Sequence, residues 1–450
     1  MRDPPMLENV MSTPFSRRDA LRSGALLGAG AVAGTLPLGS AAFAQSADVR
    51  ARWPQVAAMV DRYVRGGQIS GMVTAMGLGA AEPDVIAAGN RMFSEASAVN
   101  ADTIYRIYSM TKPVTGMAAM ICMDEGLLEL DQPLHEVLPA FRNMQVQKQY
   151  DGAITPGNLE PAERDITMRH LLTHTAGFGY SIVQSGPIRD AYMREGINPA
   201  RVSNLPLARD LLGGNIAPSL EAFADRLADL PLVSQPGRRW LYSVSLDLMG
   251  RVIEVVSGES FEQFLQSRIF DPVGMPDTGF RVPREKANRL AANYFLLGGM
   301  PVPLDLPGSS VYLERPEFAF GGAGLVSTAR DYDRFLQMVG GLGEIDGRQV
   351  ISEAAVRLGT SNLFPDTLVP GGGFVGNGTE HGFGAGGMVG AGAAQGLFGW
   401  FGAAGTAGLV NMDYSLRMTM MTQYMPQESL SLPTEFPRAV SRDAVAMFAN

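Results

Sequence analysis

From Ala47 to about Arg65 the apolar positions Val49, Trp53, Val56, Ala57, Val60 and Val64 recur at steps of three and four residues, which predicts an amphipathic helix. Two strand-like runs follow, Gly71 to Leu78 and Val85 to about Phe93, around a turn at Ala81-Glu82-Pro83-Asp84. A helix is expected from near Ser109 to about Glu125, with Gly126 as its cap. The stretch from about 113 to 310 reads as mainly helical, with irregular Gly/Pro/Asn-rich connections at 151–161 and 185–200. From Gly371 to Gly408 the chain turns glycine-dense. Val389–Phe401, Gly408–Asn411 and Leu416–Tyr424 read as neighbouring antiparallel strands, and Pro437–Phe448 as a closing helix. The pattern predicts a mixed α/β (α+β) fold: an antiparallel sheet flanked by helices, built from 45–112 and 311–450, with a mainly helical domain at 113–310 inserted between.

The first 44 residues stand apart. Ser16-Arg17-Arg18-Asp19-Ala20-Leu21 is a twin-arginine pattern, Gly24–Gly39 is apolar and rich in Gly and Ala, and Ala42-Phe43-Ala44 offers small residues at a cleavage site. These features predict a twin-arginine signal peptide and export to the periplasm or beyond. The apolar run, with Pro37 inside it, is short for a stable membrane span of about 20 residues, so no stable anchor is expected.

Of the 450 residues, 46% are hydrophobic and 18% charged, a composition that supports a large core. With 36 Lys+Arg against 45 Asp+Glu the net charge is −9, which argues against a nucleic-acid partner. Cys122 is the only cysteine, so the chain can form neither an internal disulfide nor a Cys-based zinc site. The four histidines, His135, His170, His174 and His381, form no H-E-x-x-H pattern. Neither a metal nor an organic cofactor is implied. Only three of the basic residues are lysines (Lys112, Lys148 and Lys286), so a lysine in a chemically suggestive place carries extra weight.

Lys112 is in such a place. In Ser109-Met110-Thr111-Lys112-Pro113, Pro113 fits the first turn of a helix, and residues three apart share a helix face. Ser109 would then lie at the helix N-terminus, where free N–H groups favour developing negative charge. A serine hydroxyl needs a neighbouring base, and lysine can serve once its proton is lost, whereas arginine cannot. S-x-x-K also arises by chance, and a capping serine followed by a solvated lysine is the plain alternative. No G-x-S-x-G elbow occurs to compete with it. Further along, Pro236-Gly237 through Trp240-Leu241-Tyr242-Ser243 leads into an apolar helix at Leu246–Val256, and Tyr242 there is a candidate proton relay. A merely buried tyrosine with a satisfied hydroxyl is the alternative.

Taken together, these segments resemble the serine β-lactamase-like family of penicillin-binding and esterase folds, and within it the class C β-lactamase-related carboxylesterases (family VIII esterases). The resemblance runs from about residue 50 to 425. It is carried by Thr103–Pro113, by Thr167-Met168-Arg169-His170-Leu171-Leu172-Thr173-His174-Thr175-Ala176-Gly177, by Pro236–Ser243, by Gly321–Thr328, and by Gly399-Trp400-Phe401-Gly402-Ala403. It implies a β-lactamase/transpeptidase-like fold, Ser109 as the acylated nucleophile, Lys112 as its base and Tyr242 as a second proton-transfer residue. It also implies an oxyanion hole from the backbone N–H groups of Ser109 and Ala403. Gly402 would allow close approach of the strand, and Trp400 stands where lactamases of this family carry a lysine. Val244 replaces a second polar residue of that family. Both departures remove polar groups and favour a more apolar acyl pocket, so the resemblance implies a serine carboxylesterase acting through an acyl-enzyme on small or medium acyl esters before β-lactams. β-Lactam or D-Ala-D-Ala peptide hydrolysis, acyl transfer to an alcohol, and a non-catalytic binding module remain as alternatives. An acid-side fall in the pH–rate profile is expected, since a protonated Lys–Tyr pair cannot accept the serine proton. His174 and His170 read as structural, Cys122 as a core residue, and His381 as a candidate substrate contact beside a glycine-rich strand.

Overall fold

A computed structural model of the chain describes residues 47–198, 200–205, 215–376 and 378–448; the expected signal peptide at 1–44 lies outside them. The amphipathic N-terminal run is two helices, α1 (Ala47–Arg52) and α2 (Pro54–Arg65), where the periodicity predicted one. The cause is Pro54, whose ring pushes the preceding residue out of the helical region, and Trp53 has φ −119° and ψ 61°. The indole of Trp53 donates to Asp84 at 2.8 Å, which holds the break against the sheet.

The main sheet has eight strands: β1 (Gly71–Leu78), β2 (Asp84–Gly89), β3 (Phe374–Gly376), β4 (Thr379–Phe383), β5 (Met388–Val389), β6 (Leu397–Gly402), β7 (Thr406–Asn411) and β8 (Leu416–Met421). Their spatial order is β3-β4-β5-β6-β7-β8-β1-β2, and every neighbouring pair is antiparallel. The join β8–β1 brings the two ends of the chain together, with Ala75 opposite Thr419. The run expected as one strand at Val389–Phe401 is instead the hairpin β5–β6, because Gly392 and Gly396 adopt positive φ and turn the chain back on itself.

Helices cover both faces. On the outer face, α2 packs beside the long closing helix α8 (Leu432–Phe448), which starts five residues earlier than its pattern predicted. Val56, Met59, Val60 and Val64 of α2 are buried in that layer. Each such side chain contributes about 1.5–3 kcal/mol relative to exposure. On the inner face lie α3 (Thr111–Asp124), α4 (Gly186–Glu195), α5 (Leu220–Ala228), α6 (Ser245–Ser257) and α7 (Ala329–Gly340), around one continuous core. The stretch 113–310 also carries strands: a small pair, Gln145–Gln147 with Leu159–Pro161, and the hairpin Asn293–Leu297/Met300–Asp305. Among the described residues no helix is long and apolar enough to cross a membrane.

One buried ion pair fixes the approach to α3. Arg106 and Asp305 are both fully buried, and the guanidinium Nε donates to Asp305 at 2.8 Å. Its Nη1 also donates to the Ala291 carbonyl at 2.6 Å and to Gln423 at 3.0 Å. Arg106→Ala, three residues before Ser109, would strand the buried Asp305 carboxylate. The expected cost is about 3–5 kcal/mol, read as a lower urea midpoint; a midpoint unchanged from the wild type would refute this role.

Candidate active site

The chain reaches Ser109 through a tight 3₁₀ turn, Tyr108–Met110, which runs directly into α3. Tyr108 holds φ +41°, a region costly for a non-glycine residue, and it is buried. Its ring is locked by Asn293, whose side-chain amide donates to the phenol oxygen at 3.1 Å. Below the turn, the Tyr332 hydroxyl of α7 donates to the Met110 carbonyl at 2.9 Å. The turn therefore presents the half-buried Ser109 to a cleft while its neighbours are fixed from both sides.

One turn into α3, Lys112 is fully buried, and its Nζ donates to Ser109 Oγ at 3.1 Å and to the Gly322 carbonyl at 2.7 Å. The amine also lies 4.4 Å from the Tyr242 ring centroid and 5.8 Å from that of Tyr180. Gly322 is itself held by Asp247 of α6, which accepts its N–H at 2.9 Å. A Cβ at position 322 would lie 2.5 Å from Asp247 Oδ2, so only glycine fits between this carboxyl and the lysine. Asp247 is fully buried, its Oδ2 has no hydrogen-bond partner, and burial pushes its pKa up to about 7 against the opposing pull of Lys112. The folded chain thus holds this proton more tightly than the unfolded chain does. The associated stability is fully present below the ordinary carboxylate range and is lost as pH rises toward about 7. Asp247→Asn removes that ionisation, so its Tm should gain on wild type between pH 5 and pH 8, with an upper bound of about 4 kcal/mol at pH 8. Parallel Tm–pH curves for the two proteins would refute this.

Tyr242 arrives from the loop that enters α6, where Val244 serves as the N-cap position. Its hydroxyl accepts the Trp400 indole N–H at 3.2 Å. Around it the rings of Tyr180, Trp240 and Trp400 lie at centroid distances of 5.4, 5.9 and 5.9 Å. Trp400 is on β6, and the same strand carries Gly402 against the nucleophile turn. A Cβ at 402 would come within 2.4 Å of the Ile107 carbonyl, which is the close approach expected of this glycine. Ala403 follows it and lines the cleft together with Ser109. Ser109, Lys112, Tyr242, Trp400, Gly402 and Ala403, scattered over 295 positions, thus come to one place.

The histidines divide. His174 is fully buried with φ +55°, and its Nδ1 shares a hydrogen bond with Ser243 at 3.0 Å. Burial, with Lys112 adding to it, holds its pKa well below the usual imidazole range, so it packs as a neutral ring 4.9 Å from Tyr242. His170 closes a capping box with Thr167, and burial lowers its pKa to about 4. His381 on β4 lines the cleft, but its Nδ1 takes the Ala391 N–H at 3.1 Å and the Gly376 backbone bonds the ring as well. Cys122 is buried in α3. Among the described residues no three His, Cys, Asp or Glu side chains gather as a metal site would require.

Two residues of this cluster lack a clear sequence signal. Asp247 is a lone acid among the apolar positions Leu246, Leu248 and Met249, and that isolation was the available hint. Tyr180 lies in an irregular stretch with no periodicity to place it. The cleft is broad, about 1,920 Å³, and extends from Ser109 out to Arg438 and Ser441 of α8.

The chain is similar to known proteins of one family. A family model described as Beta-lactamase matches residues 56–435. Protein Rv1367c of Mycobacterium tuberculosis is 35% identical over 300 residues, which cover 67% of this chain and 69% of that one. The lovastatin esterase of Penicillium rubens is 32% identical over 272 residues, 60% of this chain and 61% of its own. Among solved structures, EstCE1, described as a hydrolase with promiscuous acyltransferase activity, superposes with a TM-score of 0.67 at 24% identity, over 87% of this chain and 99% of its own. The chain belongs to the Beta-lactamase family, with that family's mixed α/β fold, and is a serine hydrolase whose relatives include proteins described as esterases and as acyltransferases.

Proposed function

We propose that this protein is an exported carboxylesterase that works through an acyl-enzyme on Ser109. The carrying observation is the buried Lys112 amine, 3.1 Å from the Ser109 hydroxyl with the Tyr242 ring 4.4 Å from the amine. Ser109 Oγ attacks the ester carbonyl carbon and its proton passes to the Lys112–Tyr242 pair. The backbone N–H groups of Ser109 and Ala403 receive the developing oxyanion, worth about 3–4 kcal/mol per donor in such sites. The C–O bond to the alcohol breaks, and Tyr242 returns the proton to the departing oxygen. Water then attacks the acyl carbon, the acid leaves and the serine hydroxyl is restored.

Esters are favoured over β-lactams because the position at which lactamases of this family hold a carboxylate with lysine is Trp400, whose N–H is already engaged by Tyr242. Relatives described as esterases support the same reading, and relatives described as acyltransferases support transfer to an alcohol as the second one. The twin-arginine pattern and Ala42-Phe43-Ala44 support export to the periplasm or beyond. The test is intact-mass analysis during turnover of an ester panel, expected to show an acyl adduct on Ser109 that water discharges. Faster turnover of a chromogenic cephalosporin than of a short-chain nitrophenyl ester would overturn the ester preference. A predominant new ester in the presence of a competing alcohol would replace hydrolysis by acyl transfer.

A further inference from the structure

We propose that the alcohol half of the substrate is a bulky apolar group, seated in the arm of the cleft walled by Tyr242, Trp400, Phe374, Met388, Ile182 and Val375. The inference rests on the esterase reading and adds which half of the ester is large. The residue placed to reprotonate the departing oxygen is Tyr242, so the alcohol leaves along the wall that Tyr242 shares. That wall is aromatic at its base, where Trp400 lies 5.9 Å from Tyr242 and Phe374 5.4 Å from Trp400, centroid to centroid.

The polar side chains nearest the aromatic base of this arm are engaged within the protein, and Arg189 stands further out at the exposed rim. The Trp400 N–H bonds Tyr242, and His381 is held between the Ala391 N–H and the Gly376 backbone. Gln184 accepts the Tyr180 N–H and donates to the Tyr150 hydroxyl at 2.6 Å. Arg189, the cation at this rim, donates its Nε to the Ser181 carbonyl at 3.2 Å. A polar alcohol would surrender its hydration and find few partners in return, whereas an apolar one surrenders nothing.

The rim completes the picture. Ile182 and Val375, from segments far apart in the chain, both border the cleft and are 43% and 39% exposed. Aliphatic side chains left facing water on a cavity mouth are groups that a ligand can cover.

The experiment compares two ester series on the purified protein. In one the acyl group stays acetyl while the alcohol grows from ethanol through hexanol to 2-(2-naphthyl)ethanol. In the other the alcohol stays ethanol while the acid grows in parallel. Along the first series kcat/KM is expected to rise at least about tenfold, and along the second to change by less than about threefold. In an Ile182→Asp/Val375→Asp variant the naphthylethyl-over-ethyl preference should fall by about tenfold, and in Ile182→Ala/Val375→Ala by about threefold. A rise along the acid series with a flat alcohol series overturns the assignment, as does a preference untouched in both variants. Labelling by a fluorophosphonate separates the two levels. If Ser109 labels and both series are flat, only the alcohol assignment fails; if Ser109 does not label, the esterase reading fails with it.

Discussion

Ser109→Ala is expected to lower kcat/KM for any ester the wild type turns over by at least about 10⁴-fold, and to abolish the acyl adduct and fluorophosphonate labelling together. The size follows from the bond the serine makes. Without Oγ there is no covalent intermediate, and what is left is binding and oxyanion stabilisation of a direct attack by water. The substitution removes one half-buried oxygen, and its partner, the Lys112 amine, keeps the Gly322 carbonyl. Stability should therefore change by no more than about 1 kcal/mol, so lost activity cannot be assigned to unfolding. Retained turnover within tenfold of wild type, with no residual wild-type protein by mass, would sink the assignment of Ser109.

The parts of this site that were legible in the sequence are those set by short-range geometry. Ser109 and Lys112 are three residues apart at a proline-marked helix start, so helix geometry alone brings hydroxyl and amine together. Tyr242 and the Trp400–Ala403 segment became legible only through the resemblance, because nothing local says that they meet Ser109. Asp247 was not legible as a site residue: a single acid in a helix ordinarily faces water, and here the fold of Gly321–Gly322 against α6 buries it. Tyr180 depends likewise on tertiary packing. In the fold, the apolar runs located β1 closely and β7 to within two residues, but the run read as Leu416–Tyr424 overshoots β8, which ends at Met421, because no turn residue marks that end. The same reading merged β5 with β6, because apolar residues on either side of a glycine turn look continuous until the positive φ of Gly392 and Gly396 is known. It also merged α1 with α2, where the periodicity of the apolar positions outweighed Pro54. The strands within 113–310 were missed because each is only three to six residues long and irregular connections surround them.

The other large effect belongs to Lys112, and two substitutions together distinguish what the amine contributes. Lys112→Arg puts a permanent cation on the α3 face that points to Ser109 and keeps donors for the Gly322 carbonyl, but a guanidinium stays protonated and cannot accept the serine proton. Lys112→Ala removes the amine altogether. If the amine acts as the base, the two variants should lose activity alike, by about 10³-fold or more in kcat/KM, and the fluorophosphonate labelling rate should fall in step, because labelling needs the same activated oxygen. If the amine instead only stabilises negative charge, Lys112→Arg should stay within about tenfold of wild type while Lys112→Ala falls. Stability separates the pair in the other direction. Arginine must fit a larger head between the Gly322 carbonyl and the face of Tyr242, whereas alanine leaves a void beside the buried Asp247 carboxyl. Both variants should therefore unfold at a lower Tm than Ser109→Ala, and activity compared well below those temperatures isolates the chemistry. An Arg variant that turns over esters at near wild-type rates would show that the serine loses its proton to some other group, with Tyr242 the next residue to test.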